Sequence, residues 1–98
     1  MFKGINTREM HRLANMLGCA NIPYEIRELW GGLQIHYPNS ADWVCSVVQH
    51  SFSYGGVNGL LEIMGLLTEE EEEGDSVKGW LTAEDVFERI SKHFAENT

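Results

Sequence analysis

Cationic side chains are scarce in this chain of 98 residues. Seven Lys and Arg stand against fifteen Asp and Glu, for a formal net charge of -8. Gripping a phosphate backbone needs clustered Lys and Arg, so direct nucleic-acid binding is not expected. No apolar run approaches the roughly 20 residues that span a bilayer. The start, Met1 to Gly4 followed by a polar stretch over 6–12, lacks the apolar region of a secretory signal, and a cytoplasmic location is the expectation. Cysteine is limited to Cys19 and Cys45, with no C-x-x-C spacing, which points to two reduced thiols.

Signatures of chemistry are missing as well. There is no G-x-S-x-G, no H-E-x-x-H and no P-loop. His50 and Ser51 are adjacent, which in a strand sends them to opposite faces and defeats a dyad. His11, His36, His50 and His93 show no ligand spacing. A zinc site built from Cys45 and His36 would need both on one face, whereas the expected register sets Cys45 opposite Gln34. Glu62 sits in an apolar segment, where a hydrogen-bonded structural role is the ordinary one. The chain is therefore expected to be no enzyme and to carry no metal or cofactor.

What is present is enough to fold. Hydrophobic residues make up 43% of the chain, and its length suits one domain, 1–98, with one core. A helix is expected over 7–17, capped by Asn6 with Glu9 three residues on, and with Met10, Leu13, Ala14 and Leu17 as its apolar stripe. Gly18 stops it and Pro23 forbids continuation. Segments 24–30 and 33–37 read as a hairpin turning on Gly31-Gly32, pairing Trp30 with Leu33, Glu28 with Ile35 and Ile26 with Tyr37. Glu28 then falls on the apolar face, a flaw that a bulge near Leu29 would repair. Segment 42–50, rich in valine and apolar on both faces, reads as a central strand. Segment 60–66 reads as strand rather than helix, since Gly59 and Gly65 would each cost a helix about 1 kcal/mol relative to Ala. Thr82, with Asp85 three residues on and Leu81 and Val86 as a staple, opens a last helix with Val86, Phe87, Ile90 and Phe94 inward. Trp80 closes one end of the core. The fold class is α+β in the order α-β-β-β-β-α, a four-stranded antiparallel sheet with both helices on one face.

Two features carry functional expectations. The first is a run of carboxylates: Glu69, Glu70, Glu71, Glu72, Glu73 and, after Gly74, Asp75. These six supply most of the net charge; the rest of the chain has nine acids and seven bases. Thr68 can cap a short helix whose first turn favours Glu, but five consecutive Glu repel one another, so 68–76 reads as an acidic mobile loop with room for one helical turn, either solvated or an electrostatic contact for a partner with a basic surface. Adjacent carboxylates on a run do not converge as a calcium site requires. The second is a rim. Trp30, Gly31 and Gly32 close the first hairpin, and His50, Ser51, Tyr54, Gly55 and Gly56 lie between the third and fourth strands, at the same end of an up-and-down sheet. Aromatics beside glycines would stack and hydrogen-bond a planar ligand such as a nucleotide. The plainer alternative is that glycines make turns and aromatics cap cores.

The stretch DWVCSVVQHSFSYGGVNGLLEIMGLL, the acidic run and then DSVKGWLTAEDVFERI resemble short uncharacterised proteins carried by phages, prophages and other mobile elements of gut-dwelling Firmicutes. SYGG, GLLEIMGLLT and GWLTAEDVF carry the resemblance over about half the chain. It implies a bacterial host cytoplasm and an accessory role, without a mechanism. The expected function is stoichiometric binding, with inhibition of a host defence protein through the acidic segment. The alternatives are an oligomeric nucleotide-sequestering protein and a structural or regulatory phage protein.

Overall fold

A computed structural model describes residues 5–98. The elements run α1 (Arg8–Cys19), β1 (Glu25–Leu29), β2 (Gly32–Tyr37), β3 (Cys45–Gln49), a 3-10 turn (Gly56–Asn58), β4 (Leu61–Met64), α2 (Glu69–Gly74), β5 (Val77–Leu81) and α3 (Ala83–Glu96). The strands form one antiparallel sheet in sequential order, β1-β2-β3-β4-β5. The class is α+β as expected, but the sheet has five strands rather than four and there is a third helix.

One alternating set of side chains builds the core. Ile35 opposes Val47, which opposes Ile63, while Tyr37 opposes Cys45 and Leu61 opposes Leu81. All of these are buried, and α1 and α3 pack together over them through Met10, Leu13, Leu17, Val86 and Ile90. Each fully buried Leu or Ile contributes about 1.5–3 kcal/mol from apolar burial. The expected stripes on both helices are therefore the ones that pack. β3 is central, as its valines indicated, and 61–64 is a strand. β1 lies at the edge, outside the helices' cover, so Ile26 is exposed.

The helix ends differ from expectation in detail. Thr7, not Asn6, occupies the cap position of α1, though the Asn6 Oδ1 accepts from Arg8 N at 2.9 Å. Glu9 does not close a box with Asn6; its Oε1 accepts from Ala83 N at 2.8 Å, tying α1 to the start of α3. Arg12 bridges Glu9 and Glu84 across the same junction. α1 runs past Gly18, and Asn21 takes the left-handed position at φ 57°. Asn21 N then bonds Gly18 O and Ile22 N bonds Leu17 O, a Schellman stop that buries Ile22. α3 opens as expected, with a capping box between Thr82 and Asp85.

The hairpin register also changes. Glu28 pairs with Leu33 and Ile26 with Ile35, so the two-residue turn is Trp30-Gly31, not Gly31-Gly32. The ladder is continuous, without the bulge proposed near Leu29. Glu28 is tolerated on that face because the edge strand leaves it exposed. Gly32 is needed inside β2: a Cβ there would lie 1.8 Å from the Gln49 carbonyl oxygen. Likewise Cys45 opposes Tyr37 rather than Gln34. It faces the helices, whereas His36 points to the other side, against Trp43 at 5.6 Å between ring centroids. Trp43 precedes β3 instead of lying in it.

Both thiols are free, Cys19 on the surface and Cys45 in the core, where burial pushes its thiol up to about 12. A thiol reagent at pH 8 is expected to titrate Cys19 alone in the native protein and a second thiol only in denaturant. Two fast-reacting thiols in the native protein would contradict this packing.

Candidate functional site

The acidic segment is a helix and not a loop. Thr68 Oγ1 accepts from Glu71 N and Glu71 Oε1 accepts from Thr68 N, a capping box that offsets the run's repulsion. Glutamates in a first turn also favour the helix dipole. The sequence reading treated the six carboxylates as equivalent, but Glu71 stands apart. Its two oxygens take a forked pair of 2.8 Å bonds from Arg89 on α3. That pairing, with the Thr68 amide, holds its carboxyl down at about 2. Arg89 Nη1 also donates to Leu66 O at 3.0 Å. Glu69, Glu70, Glu72, Glu73 and Asp75 remain exposed.

The rim residues do share one end of the sheet. β1, β3 and β5 finish there and β2 and β4 begin there, so the Trp30-Gly31 turn, the 50–60 segment and Trp80 are displayed together. The eight residues are not gathered into one concavity. Trp30 meets the His50 ring edge-on at 5.1 Å, with Phe52 next to His50 at 6.2 Å. Tyr54 and Gly55 lie instead against β5, where Trp80 N donates to Tyr54 O at 3.2 Å. His50 is held structurally: its Nδ1 accepts from Phe52 N, and its backbone N and O both bond the Ser53 hydroxyl. The glycines admit the chain's own backbone. A Cβ at Gly56 would lie 2.1 Å from His50 O, and one at Gly55 would lie 3.0 Å from Trp80 Cα. Tyr54 N is anchored by Glu62 Oε1 at 2.8 Å, the hydrogen-bonded role expected of that carboxylate.

Trp80 contradicts its expected place as a core lid, being 59% exposed. It sits in β5, the strand missed from sequence. Ile63 pairs with Lys78 and Leu61 with Leu81, so β5 carries one extra residue, a bulge at Gly79-Trp80. The bulge turns Trp80 to φ 61° and its indole outward. Trp30, at φ 48°, is also left-handed and is 70% exposed. Phe52 (83%), Tyr54 (54%) and Val57 extend this apolar display. The sequence singles out neither Phe52 nor Val57 and assigns Trp80 to the core; an aromatic between two serines, and one after a glycine, were the available signals.

Between α2 and β5 lies a cleft of about 420 Å³, with Tyr54 and Trp80 on one side and Glu70 and Asp75 on the other. The acidic feature and part of the rim thus meet. A second cleft, about 400 Å³, is lined by Thr7, His11, Glu28, Gly31 and Gly32 among others, without the Trp30 indole. Among the described residues no group of three or more His, Cys, Asp or Glu is placed to hold a metal, and no helix is long and apolar enough to cross a membrane.

Two outcomes check this geometry. Glu71 has its carboxyl pKa lowered in the folded state, so its contribution is complete above the unfolded carboxylate range and is lost as pH falls toward about 2. Glu71→Gln is expected to cost on the order of 1–3 kcal/mol at pH 7. The deficit should shrink as pH falls from 5 to 2, read by denaturant unfolding at each pH. Trp30→Gly should relieve the left-handed strain and raise stability by roughly 0.5–1 kcal/mol by the same measurement.

Compared with known proteins, the chain matches no family model, no curated protein and no solved structure.

Proposed function

We propose that the protein is a small accessory protein that acts by stoichiometric binding of another protein. The contact surface is the acidic helix α2 together with the exposed aromatics at the adjoining end of the sheet. One observation carries this reading. Trp30 and Trp80 are both in left-handed backbone and both mostly exposed. A bulky side chain there costs about 1–2 kcal/mol, and a mostly exposed indole recovers little of it by burial. Neither local propensity nor core packing accounts for two such residues, whereas a partner that covers them does. Tryptophan and tyrosine are the side chains that dominate protein interfaces.

The charge defines the partner's character. Five solvated carboxylates on and beside one short helix favour a basic protein surface and speed its encounter. In the phage-type reading, that surface is the nucleic-acid-binding region of a host defence protein in the bacterial cytoplasm. The nucleotide reading has less support, because the space beside Gly32, Gly55 and Gly56 is taken up by the chain itself. Oligomerisation is not needed for the contact.

The test is a capture from host lysate followed by affinity measurement with the purified partner at low and high salt. A variant carrying Glu69→Gln, Glu70→Gln, Glu72→Gln and Glu73→Gln keeps Glu71 and with it the fold. It should bind more weakly and with a flatter salt dependence. Trp30→Gly with Trp80→Ala should weaken binding about tenfold or more. Affinities equal to the unmodified protein's in both variants would sink the proposal.

A further inference from the structure

The cleft between α2 and β5 has a composition that specifies what it receives. Gly79 leaves no room for a side chain: a Cβ there would lie 2.2 Å from the Tyr54 Cβ. Tyr54 therefore lies directly over β5, and the bond from Trp80 N to Tyr54 O holds the two aromatic residues as neighbours. Both residues are more than half exposed and line the same cleft. This wall is apolar and presents aromatic surface, which attracts a cation. The facing wall carries Glu70 and Asp75. The Glu70 carboxylate makes no hydrogen bond among the described residues, and one Asp75 oxygen accepts from Ser76 N, leaving the other open. Glu71 also borders the cleft, but its charge is matched by Arg89. Lys78 is the one cation along the lining. Two open carboxylates against one ammonium leave a single negative charge, the complement of one incoming cation.

We propose that this cleft receives an arginine side chain of the protein partner; the assignment rests on the binding function proposed above and names the chemistry of its central contact. Arginine fits better than lysine. Its flat guanidinium lies on an aromatic face and forks to a carboxylate at once, and it gives up its hydration more readily than an ammonium. A phosphate or an acidic peptide would meet Glu70 and Asp75 and be repelled.

The experiment follows the tryptophan indole N–H resonances of the full chain by NMR during titration with the peptide acetyl-Gly-Arg-Gly-amide. The lysine and citrulline versions of the peptide are titrated in parallel. The Trp80 signal should move saturably with the arginine peptide while Trp30 and Trp43 stay in place. Lysine should bind roughly two- to fivefold more weakly, the range that one exposed cation–π contact spans, and citrulline should give no saturable shift. Tyr54→Ala, and separately Glu70→Gln with Asp75→Asn, should each weaken the arginine response by a similar factor. The proposal is overturned if Trp80 is unmoved by arginine, if citrulline acts as well as arginine, or if Trp80 shifts with protein concentration alone, which would seat a second copy in the cleft. Failure here with salt-dependent partner binding intact removes the cleft and leaves the binding function standing; loss of both removes both.

Discussion

The guanidinium of Arg89 joins three parts of the chain: α3, α2 and the segment between β4 and α2. It reaches from α3 to both oxygens of Glu71 and to the carbonyl of Leu66. Glu71 is in turn the residue that closes the cap of α2. One ion pair, with both side chains largely out of solvent, therefore holds an acidic helix against the body of the fold. A forked, partly buried guanidinium–carboxylate pair is stronger than an exposed ion pair, because water competes less and both oxygens are engaged. Once α2 is fixed, the chain returns along β5, and the cleft between them has two defined walls.

A different constraint shapes the opposite edge of the sheet. The close approach of Gly32 to the Gln49 carbonyl leaves no space for a side chain, and with Gly32 paired to Leu29 inside the ladder the hairpin turn falls one residue earlier. Trp30 then takes a left-handed position that asparagine or glycine fills more easily. At β5 an extra residue has the same effect on Trp80. Two unrelated local devices thus display indoles at one end of the sheet at some cost in stability. That coincidence is what binds the aromatic rim and the acidic helix into one functional reading.

Much of the scaffold was legible because it rests on short-range rules. The stripes of α1 and α3, the Thr82–Asp85 box, the valine-rich central strand and the choice of strand for 60–66, observed over Leu61–Met64, follow from periodicity, capping, strand propensity and the cost of glycine in a helix. β5 escaped because Val77-Lys78-Gly79-Trp80-Leu81 has no clean alternation: its bulge breaks the two-residue period that would reveal it. For α2 the Thr68 cap was legible, but the segment reads as a loop because the distant arginine that helps offset the repulsion along the run is not visible locally. The candidate site was half legible. Glu70, Asp75 and Tyr54 were singled out, but Trp80 was assigned to the core, since an apolar residue beside a helix cap usually goes there.

By itself, the sequence determined the fold class, the core stripes and the concentration of negative charge, all of which depend on residues a few positions apart. Only the tertiary structure decided which glutamate is structural, which face each tryptophan takes and which two features adjoin. Those outcomes depend on contacts between distant segments: Arg89 with Glu71, Gly32 with Gln49 and Gly79 with Tyr54. No local pattern records them, because each is set by how closely two backbones or two charges come together after the chain has folded.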